Sequence, residues 1–137
     1  MTSAVTSIDR PALRLASVCG IAAVAIYVGA TILGGLLDPA YSQISRTVSE
    51  LTAAGAPDRV VLAVLYVGYN VLVAGFGYAI HRIAPQEPKL RLGMYLLAAG
   101  GIAGVGLVTL LPTDRAGQPI TSIGSVHIAV AGAAALL

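Results

Sequence analysis

Residues 15–37 read LASVCGIAAVAIYVGATILGGLL, a run without Asp, Glu, Lys, Arg or His. At ~1.5 Å per helical residue it reaches ~34 Å, enough to cross a hydrocarbon layer ~30 Å thick. Arg10 and Arg14 precede it, as they would in a signal peptide, but a secretory apolar region is typically only ~7–15 residues long. The run is therefore read as an uncleaved anchor, preceded by a short amino-terminal segment, residues 1–14.

Three further apolar runs follow: residues 60–80, stopped by His81, Arg82 and Pro85; residues 92–111, stopped by Pro112 and Asp114; and residues 120–137, still apolar at Leu137. The whole chain agrees with this pattern. Hydrophobic types make up 57% and charged types 10% of its 137 residues, and the mean hydropathy is +0.87. That leaves too few polar side chains to coat a water-soluble globule. The expected fold is all-α, a polytopic transmembrane helix bundle forming a single domain over residues 15–137, with membrane lipids as its surroundings. A net charge of +2, dispersed in short clusters, provides no basic face for nucleic acid. Cys19, the single cysteine, has no partner for a disulfide and reads as a small hydrophobe in a helix.

Charge placement orients the bundle. The amino-terminal segment and the second loop hold five basic residues (Arg10, Arg14, Arg82, Lys89, Arg91), against three (Arg46, Arg59, Arg115) in the first and third loops. By the positive-inside rule the amino terminus is cytoplasmic in an inner (plasma) membrane. Small residues at four-residue spacing, Ala30 with Gly34 and Gly100 with Gly104, predict close helix contacts. Such faces serve helices of one chain or a homo-oligomer, and intrachain packing is favoured because a bundle needs them in any case.

The first loop, residues 38–59, is the most informative polar stretch. Ile44, Val48 and Leu51 are spaced as one face of a short amphipathic helix at the membrane surface, with Ser42, Ser45 and Ser49 opposite and Arg46 and Glu50 beside them. Thr47 and Glu50 also have capping-box spacing, which would start the helix later. The third loop, on the same side, carries Asp114 and leads to His127, about two turns into the fourth run. A polar ring at that depth needs a partner and is a functional candidate, though a hydrogen bond to a carbonyl or hydroxyl satisfies the same need. His81, beside Arg82 at the other boundary, reads as an interfacial anchor, and Asn70, mid-span, as an interhelical hydrogen-bonding residue.

Asp38, Glu50, Asp114 and His127 thus share one side. Carboxylates with a histidine suit a divalent metal or acid–base work on a lipid headgroup, but HExxH, Gly-x-Ser-x-Gly and phosphate-cradling motifs do not occur. No cofactor is indicated, and whether a metal binds stays open. The candidate ligand-binding residues are Asp38, Tyr41, Ser42, Ser45, Ser49 and Glu50, and the candidate catalytic ones are His127, Asp114 and Glu50.

The stretch DPAYSQISRTVSELTAAGAP, residues 38–57, resembles the signature of the bacterial membrane proteins called domain of unknown function 998. Tyr41–Ser42, then Ser49, Glu50 and Leu51, then Gly55, Ala56 and Pro57 match its successive elements. Pro112, Thr113 and Asp114 match its Pro-x-Asp, and His127 the histidine opening its fourth span. The resemblance implies about six spans, of which this chain would carry the first four, and it implies no activity. Three functions follow as expectations: a membrane protein whose outward polar cluster binds a lipid headgroup or small polar ligand; a membrane-embedded hydrolase or transferase using His127 with Asp114 or Glu50; and a transporter or structural subunit.

Overall fold

The computed structural model describes residues 9–83 and 88–135. Its elements are α1 (Arg10–Leu37), a short 3-10 turn (Val48–Thr52), α2 (Arg59–Ile83), α3 (Pro88–Thr109) and α4 (Ser122–Ala135). Among the described residues every regular element is helical, as expected of a helical transmembrane bundle. Helices α1, α2 and α3 are each long and apolar enough to cross a membrane. The 14 residues of α4 cover only ~21 Å at 1.5 Å each. The last two residues of the fourth apolar run, and the Pro85 stop after the second, lie outside the described residues.

α1 begins earlier than its apolar run because Asp9 caps it, accepting a hydrogen bond from the Ala12 N–H at 3.1 Å, with Pro11 in the first turn. The Asp9 carboxylate also meets Arg82 at 3.2 Å, tying the start of α1 to the end of α2. His81 stacks on Tyr95 at the same end, ring centroids 5.5 Å apart.

α2 lies between α1 and α3. The buried face of α1 is Ala12, Ala16, Cys19, Ala23, Ala30 and Gly34, whereas Val18, Ile21, Val24, Ile32 and Leu36 point outward. Small residues inside and large apolar ones outside is the arrangement of helices that associate in lipid, where close backbone approach replaces hydrophobic drive. In water the same exterior would be an apolar patch far beyond what a soluble monomer tolerates.

The α2–α3 seam is tighter still. A Cβ on Gly101 would stand 2.6 Å from the Asn70 carbonyl oxygen and 2.8 Å from the Ala74 nitrogen, and Gly77 faces the Met94 carbonyl and Ala98 backbone of α3 at 3.1 Å. Gly104 gives room to the Asn70 carboxamide. The expected Gly100 and Gly104 pair is therefore corrected: Gly101 and Gly104 meet α2, and Gly100 has open space at its Cβ position. Asn70 differs as well. Its Nδ2 donates to the Tyr66 carbonyl of its own helix at 2.8 Å, so it joins α3 by packing on Gly104 rather than by a hydrogen bond. Ala30 and Gly34 do pair on one face, both buried, against Leu51.

This seam yields a contrast between neighbours. Gly101→Ala is expected to cost about 1–3 kcal/mol, because backbone atoms rather than a mobile side chain must yield. Gly100→Ala should be neutral or slightly stabilising through helix propensity. Heating each variant in detergent with a thiol-reactive dye reads both, since the buried Cys19 reports opening of the bundle.

Candidate functional site

The first loop is not a surface amphipathic helix. Its only regular element is the five-residue 3-10 turn Val48–Thr52; three residues per turn put Val48 and Leu51 on one side. Both face the bundle, Leu51 sealed among Ala30, Leu62 and Tyr66 with Val48 and Tyr41 beside it, while Ile44 is fully exposed. The later start suggested by Thr47 and Glu50 is the one observed. Glu50 reaches back to accept from the Thr47 N–H at 3.3 Å, half of a capping box, while the Thr47 hydroxyl bonds that of Ser49 at 3.0 Å.

The third loop locks onto the first. The Ala54 N–H donates to the Thr113 carbonyl at 3.2 Å, and the Ala116 N–H to Glu50 Oε2 at 2.9 Å. Arg115 pairs with the buried Asp38 carboxylate and also reaches the Gly55 carbonyl, at 3.4 Å. Gly55 and Gly117 have φ of 77° and 83°, the left-handed turns these hairpin-like tips require and glycine tolerates best. Asp114 starts α4: it accepts from the Thr121 N–H at 2.7 Å and hydroxyl at 3.0 Å, and that hydroxyl in turn accepts from the Gly124 N–H at 3.0 Å. A side chain on Gly124 would collide with the Asp114 carboxylate.

His127 is 6% exposed, and its Nδ1 is hydrogen-bonded to the Leu111 carbonyl at the end of α3. A carbonyl only accepts, so Nδ1 carries the proton, and in the neutral ring Nε2 keeps its lone pair. Among the described residues Nε2 has no hydrogen-bond partner, and His127 lines two cavities. The first, ≈ 560 Å³, opens between the loops and is lined by Ser49, Glu50, Asp114, Arg115, Gln118 and His127, among others. The second, ≈ 230 Å³, runs into the bundle past His127 to Tyr27, Tyr66, Tyr69 and Asn70. Those tyrosines pack together, Tyr27 at 6.0 Å from Tyr66 and 5.1 Å from Tyr69 between ring centroids, and the Tyr66 hydroxyl bonds Thr31 at 3.0 Å.

The structure thus gathers Ser49, Glu50, Asp114 and His127 around one cavity and leaves four other candidates outside it. Asp38 is committed to Arg115. Tyr41 packs on the Leu51 cluster, where burial, and then the Glu50 charge and Tyr27, push its hydroxyl above the usual phenol range. Ser42 accepts from the Ser45 N–H at 3.3 Å in the preceding turn, and Ser45 is exposed. No trio of His, Cys, Asp or Glu among the described residues is arranged to hold a metal ion. Arg115 and the tyrosine-lined inner cavity were not singled out from sequence. Arg115 follows Pro-x-Asp directly, but only the fold shows that it faces Asp38.

The chain matches, over residues 21–137, the family described as Protein of unknown function (DUF998). It belongs to that family. Several residues that carried the resemblance hold the loop-bearing end together: Asp38 through Arg115, Glu50 through Ala116, Asp114 at the α4 cap and His127 at Leu111. No curated protein and no solved structure matches the chain.

Proposed function

We propose that this DUF998 membrane protein binds the headgroup of a membrane lipid or a small polar ligand at its loop-bearing end, with His127 as the recognising residue. The observation that carries the reading is the setting of His127: its ring is fixed through Nδ1, its Nε2 has no partner among the described residues, and the residue lines a cavity that also carries Ser49, Glu50 and Asp114. A neutral imidazole nitrogen keeps a lone pair that a ligand donor can meet, and a few such polar groups among apolar walls are what orient a bound ligand. In this reading the amino terminus is cytoplasmic and the cavity opens on the outer side of the plasma membrane.

Catalysis is the second reading, and the geometry favours it less. A base needs contact with its nucleophile and an orienting group. Here the ring is oriented by a backbone carbonyl, and the Ser49 hydroxyl is bonded to Thr47 rather than to His127. Homo-oligomerisation draws no support from Ala30, Gly34 or Gly104, whose faces are used within the chain.

His127→Asn tests the binding role, because an asparagine Nδ2 can replace Nδ1 as donor to Leu111 while nothing replaces Nε2. The variant is expected to melt close to the parent and to lose co-purifying lipid, measured by mass spectrometry of the detergent-extracted protein. Unchanged lipid in His127→Asn, with a collapse of stability in His127→Ala alone, would reduce the histidine to a structural pin. Orientation has its own check: a cysteine replacing the exposed Ser45 should react with an impermeant thiol reagent on intact cells. Labelling only after lysis would invert the assigned topology.

A further inference from the structure

The binding reading above leaves the ligand's chemistry open, and the cavities narrow it. Beyond the mouth and the inner cavity lies a third, a groove of ≈ 380 Å³ lined by Leu96, Leu97 and Gly100 of α3, Val73 of α2 and Ala134 of α4. The mouth and the inner cavity share Ser49, His127 and Ala131, and the inner cavity and the groove share Tyr69 and Asn70. The three therefore adjoin through shared walls, a track whose charged side chains lie at the loops and whose helical part is lined mainly by apolar ones.

The polar atoms along the track are chiefly acceptors. Glu50 and Asp114 bring carboxylates, each oxygen accepting one bond within the loops and keeping a second lone pair, His127 brings Nε2, and Asn70 brings Oδ1, its Nδ2 being bonded to Tyr66. The charged donor at the mouth, Arg115, is taken by Asp38 and Gly55. The uncommitted donors of the lining, such as Thr113, Gln118 and Tyr69, are neutral. Asp38, Glu50 and Asp114 face Arg46 and Arg115, three negative charges against two positive, and Asp58 and Arg59 cancel. An anionic headgroup would meet two carboxylates, while the nearest guanidinium groups, Arg115 and Arg46, are already paired with Asp38 and Glu50. A headgroup bearing O–H or N–H donors would satisfy the acceptors, and hydrogen bonds to charged groups are the stronger ones.

We propose that the track holds one amphiphile: a membrane lipid whose headgroup donates hydrogen bonds and carries no net negative charge, with an acyl chain lying past Asn70 in the groove between α2, α3 and α4. Carboxylates and Nε2 select the headgroup by charge complementarity. The small side of α3 at Gly100, open at its Cβ position, makes room for the chain.

The test uses the full-length protein in nanodiscs holding equal amounts of phosphatidylethanolamine, a glucosyl-diacylglycerol and phosphatidylglycerol, with retained lipid identified by native mass spectrometry. Retention of the amine lipid, the sugar lipid or both at about tenfold over phosphatidylglycerol is expected, and which of the two dominates assigns an ammonium or a hydroxyl as the donor. Equal or preferred retention of phosphatidylglycerol overturns the headgroup class while leaving a lipid site in place. Retention of no lipid, or retention unchanged by His127→Asn, overturns the site itself. Gly100→Phe, filling the groove, should lower retention about tenfold, and Ile102→Phe on the exposed face of α3 should not. A photo-crosslinker at position 100 should capture lipid; capture of another part of this chain or of a second copy instead overturns the acyl track.

Discussion

Replacing Arg115 by alanine is expected to destabilise the protein by about 3 kcal/mol, the lower end of the ~3–5 kcal/mol for removing one partner of a buried ion pair. The lower end applies because Arg115 is 25% exposed, so water already screens part of the interaction, whereas the Asp38 side chain is 9% exposed and would be left a nearly dry, unpaired carboxylate. The cost is thus chiefly that of stranding Asp38, which sets the sign of a second measurement. Asp38→Ala combined with Arg115→Ala should recover much of the loss, the non-additivity that groups in contact show. Arg46→Ala is the contrast. Arg46 stands 3.8 Å from Glu50, beyond hydrogen-bond length, and Glu50, though only 11% exposed, keeps the Thr47 and Ala116 N–H groups as donors when Arg46 is removed, so its loss should cost no more than about 1 kcal/mol. Melting in detergent, read through the buried Cys19, ranks the three variants. Equal effects of Arg115→Ala and Arg46→Ala would refute the loop clasp.

That clasp explains why the polar end of the molecule could be located from sequence while its wiring could not. Apolar runs and charged stops place the helices because burial in lipid acts on each segment separately: residues 60–80 fall inside α2, and residues 92–111 coincide with α3 except for the last two, since α3 ends at Thr109. Asp38 and Arg115 lie 77 residues apart, and no local pattern announces such a partnership. The seam tells the same story on a smaller scale. Four-residue spacing found the small-residue face of α3, but choosing Gly101 over Gly100 requires the rotation of α3 against α2, which Asn70 and Ala74 set. His127 was legible as a polar ring in an apolar helix. That its Nδ1 is held by Leu111, in a residue that lines two cavities, depends on where α3 ends relative to α4.

The first loop is where periodicity misled, and Leu51→Ala separates the two descriptions. On a surface helix, Ile44, Val48 and Leu51 would each dip into the lipid interface, and trimming Ile44 or Leu51 would have similar, small effects. In the fold, Leu51 is 1% exposed and Ile44 100%. The Leu51 side chain occupies the space a Cβ on Gly34 would need, its nearest methyl 2.7 Å from that position. Removing it leaves a void against Ala30, Gly34, Leu62 and Tyr66, a transfer loss plus a cavity penalty of ~2–5 kcal/mol for a buried leucine. Ile44→Ala should change stability by less than ~0.5 kcal/mol, as surface substitutions usually do. Helix α1 cannot close the void readily, since its neighbours there are already small residues packed near backbone contact. The consequence reaches the candidate site, because Val48 and Ser49 stand on the same turn as Leu51 and line the inner cavity. Leu51→Ala is therefore expected to loosen that cavity and lower lipid retention together with melting temperature, whereas His127→Asn lowers retention alone. A Leu51→Ala protein as stable as its Ile44→Ala counterpart would restore the interfacial helix and remove the wall on which the cavity depends.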